Sequence, residues 1–422
     1  MFLVVIINLN EYKHGWAVFI FMEYYFFISF MKGRVNMTNT TKQTVGFAGA
    51  FSVASVWFTT HAGAGFATGN QGWQYYAVYG IPGMIYPLIS MGLLALVLRE
   101  AMIASQIIES RSYGDVMKYM YKPYDKLYVL FEIFYYCIVL AAVGGVISSA
   151  AGMIQEVVPM GMALATILVG IILLVLIIFG ADLVRRVATV LGIAIIISGF
   201  SIYIIGTVET AGVLGETIST GYAPNGWLYP LWRAIIYCGF QCVAIPSMVA
   251  CCEHLRTKGS VNLASFLGFL MNGFGVALAV WMLVGYRDGI VATESLKLPT
   301  LYACQQIGIP ILFYFYKICL FCCLISTGVS CIFGIVVRFE NVLFKKSTGV
   351  MSNIMARRIV ITLFCIILCM LISTFGLTAI VAYGYKYCGY LAIVICVIPF
   401  LTIGHKRNAE ALKSGKKGAF VD

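Results

Sequence analysis

Ten stretches of this chain approach the roughly 20 apolar residues that carry an α-helix across a bilayer, and they constrain the fold more than any motif does. They run approximately over 44–79, 81–98, 127–153, 162–179, 187–206, 227–252, 262–285, 311–337, 359–380 and 387–403. Hydrocarbon offers no partner to backbone N–H and C=O groups, so such segments must satisfy them internally, as helices. With 61% hydrophobic and 11% charged residues over 422 positions, only lipid makes the composition sensible. The expectation is an all-α integral membrane protein. The connections are short, and the sequence carries neither a nucleotide-binding loop nor the clustered His, Asp or Glu of a membrane-embedded enzyme, so no enzymatic activity is expected.

The charges orient the bundle. Lys and Arg gather in the N-terminal flank, in the second, fourth, sixth and eighth connections and in the tail, leaving Arg287, Lys297 and Lys386 on the opposite side. By the positive-inside rule both ends of the ten-span core are cytoplasmic, in the plasma membrane. The net charge of +11 is then a topology signal that needs no nucleic-acid partner. Residues 1–43 form an N-terminal extension and 404–422 a basic cytoplasmic tail. Within the extension, Trp16 to Met31 is apolar but short and interrupted by Glu23, marginal as an eleventh span, and no small-residue cleavage site follows it. The run Lys32 to Asn36 can be encoded by a purine-rich, ribosome-binding stretch, which favours translation from Met37.

The fourteen cysteines lack metal-ligand spacing. Cys304 and Cys388 are the pair that could meet near the outer side; the others read as small buried hydrophobes.

Within the first span, Thr59 to Gln71 reads T-T-H-A-G-A-G-F-A-T-G-N-Q. Gly63, Gly65 and Gly69 each cost a helix about 1 kcal/mol relative to Ala, which predicts a break at membrane depth. Such a break survives only where protein or a water-filled cavity satisfies the backbone, so it implies a site. Close helix packing on small residues is the alternative reading of these glycines.

Five spans carry the chain across the bilayer, so a second set of five starts from the other side and is inverted. Residues 44–206 and 227–403 are these two repeats. The first helix of the second repeat contains Gly239, Phe240 and Gln241 ahead of Pro246, so a Gly-Phe step recurs midway through the leading helix of each half. Interrupted segments in corresponding positions of two halves point to the binding site of a secondary transporter. Unpaired amides after each break, near Phe66 to Gly69 and near Gln241, suit an anionic group. Gly63, Gly65, Phe66, Thr68, Gly239, Phe240 and Gln241 are therefore the candidate substrate-binding residues. His61 and Glu132 are candidates for proton coupling. Packing is the other reading of His61, and snorkelling that of Glu132, Arg233 and Lys317. Trp73, Tyr75 and Tyr76 read as an outer lid or an interfacial aromatic belt.

The run G-A-G-F-A-T-G at Gly63 to Gly69, the ten-span layout and the Gly239-Phe240-Gln241 step resemble the YkvI-type membrane proteins, relatives of the amino acid-polyamine-organocation superfamily with its LeuT fold. The resemblance covers roughly residues 44–403. It implies a 5+5 inverted repeat with broken first and sixth helices. It also implies a sodium site between carbonyls around Thr59 and Ala62 and hydroxyls on Ser326 and Thr327; in membrane helices such hydroxyls also bond back to their own backbone. Two positions depart from the family pattern: Asn70-Gln71 stands where a Gln-Glu pair is common, and His61 where an apolar residue is usual.

The sequence thus predicts a secondary transporter of a small polar solute, an amino acid or related zwitterion, coupled to sodium or protons, with no cofactor beyond a sodium ion. A nucleobase or organic-cation transporter, and a non-transporting sensor or structural protein of the same fold, are the alternatives.

Overall fold

The computed structural model describes residues 46–61, 64–179, 181–342, 353–415 and 418–421. The N-terminal extension, Ala62 and Gly63 lie outside them. Among the described residues the regular structure is helical. Among the described residues eight helices are long and apolar enough to cross a membrane, and the bent pair Ala194–Glu209 and Ala211–Ser219, which turns through 63°, adds a further span when taken as one. The first span comes in three pieces, Phe47–His61, Ala64–Ala67 and Asn70–Tyr75, each too short to cross alone.

The helix packing displays the two-fold relation of the halves. The second span (Ile81–Ile107) packs on the seventh (Lys258–Gly285), the third (Tyr128–Gln155) on the eighth (Pro310–Val342), and the fourth (Met162–Phe179) on the ninth (Ile354–Ser373). Each of these pairs maps onto itself when the halves are exchanged. The contact of the first span with the seventh is matched by that of the sixth, Leu228–Gln241, with the second. Third with fourth is likewise matched by eighth with ninth, and fifth with eighth by tenth with third. The architecture is therefore all-α and membrane-spanning, with helix contacts that recur in matching pairs between its two halves.

The contact of the sixth span with the tenth departs from the symmetry. The sixth span packs extensively along the tenth, at Lys386–Ala392, whereas its counterpart, the first span against the fifth, is far looser. Glycines make the tight contact: a Cβ on Gly239 would lie 2.5 Å from the Gly389 carbonyl oxygen.

The sixth helix differs from the open break expected of it. Residues Gln241 to Ile245 stay in right-handed helical conformation, and the interruption is one 3₁₀ turn at Cys242–Ala244 before Ile245–Cys251. The Cys242 amide donates to the Gly239 and Phe240 carbonyls, so the helix spends the amide that would have faced an anion.

Two span ends also differ from the sequence reading. The second helix continues past Leu98 to Ile107 because Glu100, 3% exposed, is neutralised there: Arg99 and His405 pair with its Oε1 and the Asn408 amide donates to its Oε2. The ninth helix stops at Ser373, and Gly376, left-handed at φ 78°, turns the chain into a tenth span running from Gly376 to Lys413 through three π-helical segments. Cys304 and Cys388 are both buried and free.

Candidate functional site

From Gly65 to Gly69 the first-span break is built as lipid requires, with its backbone carbonyls satisfied by protein. Gly69 is left-handed at φ 79°, and a Cβ there would sit 2.3 Å from Thr300 Oγ1. The Gly69 amide donates to the Phe66 carbonyl (2.9 Å), the Thr300 amide to the Thr68 carbonyl (3.3 Å), and the Tyr316 hydroxyl to the Ala67 carbonyl. Thr68 Oγ1 donates to the Gly65 carbonyl (3.1 Å) and accepts from the Asn70 amide (3.4 Å). The carbonyls of residues 65–68 are therefore occupied.

His61 ends the first helical piece, buried, with a partner on each ring nitrogen. Nδ1 lies 2.7 Å from Asn272 Oδ1 and Nε2 lies 2.7 Å from the Tyr237 hydroxyl. The Asn272 amide donates from Nδ2 to the Gly268 carbonyl (2.8 Å), which leaves Oδ1 facing the imidazole as an acceptor. That assigns the proton on neutral His61 to Nδ1, so Nε2 accepts from Tyr237. The same hydroxyl lies 3.5 Å from Gln71 Oε1. The Tyr237 hydroxyl therefore has two acceptors within reach, His61 Nε2 and Gln71 Oε1, and links the imidazole to the far side of the break.

Gln71 lies over that break. A Cβ on Gly65 would come within 2.1 Å of Gln71 Nε2, so Gly65 provides the space that the Gln71 amide fills. Tyr385, in a π-helical turn of the tenth span, sits beside Gln71, and Gln241 beside Tyr237. Phe240 closes the cluster in edge contacts with Tyr75 and Tyr237 and a tilted contact with Tyr385, at 5.1, 4.7 and 5.1 Å between ring centroids. Trp73, Tyr75 and Tyr76 are buried in this packing, which corrects the reading of them as an interfacial belt.

Toward the start of the sixth span, one layer beyond Tyr75, lies Arg233. Its guanidinium stacks 4.1 Å from the Tyr75 ring centroid and donates to the Gln74 carbonyl at 3.3 Å. It is 6% exposed, so it does not snorkel. The Gln74 side chain meanwhile ties the first span to the tenth, donating to Asn70 Oδ1 (2.8 Å) and the Thr378 carbonyl (3.0 Å).

The other candidates lie apart from this network. Thr59 Oγ1 donates to the Ser55 carbonyl (2.9 Å) and Ser326 Oγ to the Cys323 carbonyl (3.2 Å), each bonding back along its own helix. Thr327 sits beside Cys323. Among the described residues no hydrogen bond joins the first-span and eighth-span hydroxyls. Glu132 is buried in the third span and accepts from the Tyr113 hydroxyl at 3.3 Å. Lys317 pairs with Glu156 at 2.6 Å. A small, mostly apolar cavity of about 10 Å³ lies between the first, fifth and eighth spans, lined by Phe58, Phe66, Ile195, Phe200, Tyr203 and Tyr316 among others.

Asn272, Tyr237 and Tyr385 were absent from the sequence-based candidates. An Asn midway along the apolar seventh span and a Tyr one turn before Gln241 are the signals that could have found Asn272 and Tyr237.

No family model matches the chain, and no curated protein matches it. Among solved structures it is similar to two variants of the Eremococcus coleocola manganese transporter, each at 16% identity and a TM-score of 0.45, covering 86% of this chain and 81% of the other.

Proposed function

We propose that this chain is a secondary active transporter of a small polar solute, an amino acid or related zwitterion, working by alternating access in the plasma membrane with both ends of its ten-span core cytoplasmic. The observation that carries the reading is the chain from Asn272 through His61 and Tyr237 to Gln71, which places a titratable ring and a movable hydroxyl at the backbone break. Intramembrane ionisable groups mark transport pathways by default. The unequal packing of the two halves supports the cycle: the sixth span packs extensively along the tenth, while the first meets the fifth through ring contacts of Phe58 and Phe66 with Phe200 and Tyr203. Exchanging those two arrangements would open the opposite side.

The substrate occupies the space held by Gln71, over Gly65, Phe66 and Thr68, with Phe240 and Gln241 on its other side; Gly63 remains a candidate contact from the sequence alone. Protons are the favoured coupling ion, because His61 is wired to the break. Sodium is the other candidate, held by carbonyls around Thr59 and Ala62 and by the hydroxyl oxygens of Ser326 and Thr327; a hydroxyl that donates to its own helix, as Ser326 does, keeps its lone pairs for a cation. Neutral amides, phenols and one imidazole suit a zwitterion better than a divalent cation, and among the described residues no cluster of three His, Cys, Asp or Glu could hold a metal ion.

The test is uptake of radiolabelled amino acids, nucleobases and amines into proteoliposomes under an imposed proton gradient or sodium gradient. Proton-driven accumulation of one amino acid class supports the reading. Solute binding without flux establishes the sensor alternative instead.

A further inference from the structure

Arg233 is a buried cation without a counter-ion. A guanidinium has five N–H donors and is always charged. Here one donor reaches the Gln74 carbonyl, the Tyr75 ring covers one face, the Tyr79 hydroxyl lies beside it, and Nε is buried with no acceptor. Among the described residues no carboxylate pairs with Arg233. A buried charge left unpaired is costly, and a buried unsatisfied donor calls for an explanation.

The surroundings supply one. Tyr75, on which the guanidinium stacks, meets Tyr237 edge-on at 5.5 Å, and Tyr237 bonds to His61. Arg233 therefore stands on the outer side of the aromatic layer that roofs the break, given the orientation proposed above. It also bridges the first span to the sixth, whose separation would open that side. We infer that Arg233 is an outer binding station for the carboxylate of the transported solute. When the outer side opens, the guanidinium leaves the Gln74 carbonyl and presents its planar donor pair to a carboxylate, the geometry that arginine recognises bidentately. Closure then restores the Tyr75 stack once the solute has passed inward. This deepens the transporter reading by naming the chemical class of the solute, and it rests on that reading for the direction of approach.

The test uses the full chain in lipid nanodiscs and reads no flux. p-Hydroxyphenylglyoxal, which condenses with accessible guanidinium groups, is applied over time, and labelling of Arg233 is followed by peptide mass spectrometry with Arg287 as the internal control. Propionate is the carboxylate probe, titrated against chloride at matched ionic strength. The expected result is that Arg233 is labelled and that propionate slows this about tenfold once it reaches roughly ten times its Kd, with Arg287 and the chloride series unaffected. The inference is overturned by labelling that propionate does not slow, by equal protection from chloride, or by an Arg233 that is never labelled. Because uptake is not measured, a chain that proves not to transport can still pass this test, and a proven transporter can fail it.

Discussion

Tyr237→Phe isolates the hydroxyl on which the site depends. The substitution keeps the ring, its 4.7 Å edge contact with Phe240 and the packing volume, and it removes a single oxygen. His61 Nε2 then loses its 2.7 Å partner inside a fully buried cluster. Leaving one buried polar group unpaired costs about 1–3 kcal/mol. The 3.5 Å contact with Gln71 is too long to add much. Reversible unfolding in mixed micelles, followed by tryptophan fluorescence, reads the loss. A double-mutant cycle with His61→Leu assigns it: Tyr237→Phe should cost less in the His61→Leu background, with a coupling energy of about 1 kcal/mol or more. Additivity within about 0.5 kcal/mol would refute the argument, since residues that share no interaction behave that way.

Three further substitutions test the elements that hold the site. Gly69→Ala places a methyl at φ 79° and against Thr300 Oγ1, so it should cost about 1–2 kcal/mol from the backbone alone, with Thr300→Ala restoring only part of the thermal stability. Gly239→Ala presses on a backbone carbonyl that cannot turn aside and should cost about 1–3 kcal/mol, whereas Gly152→Ala, with open space around it in the third span, should be neutral or stabilising in the same thermal assay. Glu100→Ala strips Arg99, His405 and Asn408 of their shared acceptor and should cost about 1–3 kcal/mol; Glu156→Ala, which breaks the more exposed pair with Lys317, should cost no more than about 1 kcal/mol by thermal shift.

The span layout and the first break were legible because they rest on local physics. Twenty apolar residues have one way to cross lipid, and Gly65 and Gly69 stand where a Cβ would strike Gln71 and Thr300. Gly239 reads the same way in sequence, yet its missing Cβ serves contact with Gly389 and the helix runs on through a 3₁₀ turn. Whether a glycine breaks a helix or packs it depends on the neighbour, which local sequence does not name. The partners of His61 lie 211 and 176 residues away, so Asn272 and Tyr237 could be paired with it only by the fold. Glu100 was hidden for the same reason: a carboxylate at the edge of an apolar run ends the span unless something neutralises it, and His405 and Asn408 arrive from the last helix.

The most direct test of the central claim is a proton count at the membrane. Proteoliposomes loaded with a pH-sensitive dye are given the solute that the uptake panel identifies, with no sodium present. The account predicts that solute entry acidifies the lumen and that His61→Gln abolishes the acidification. Solute entry without proton movement, or proton movement unchanged by His61→Gln, would contradict it.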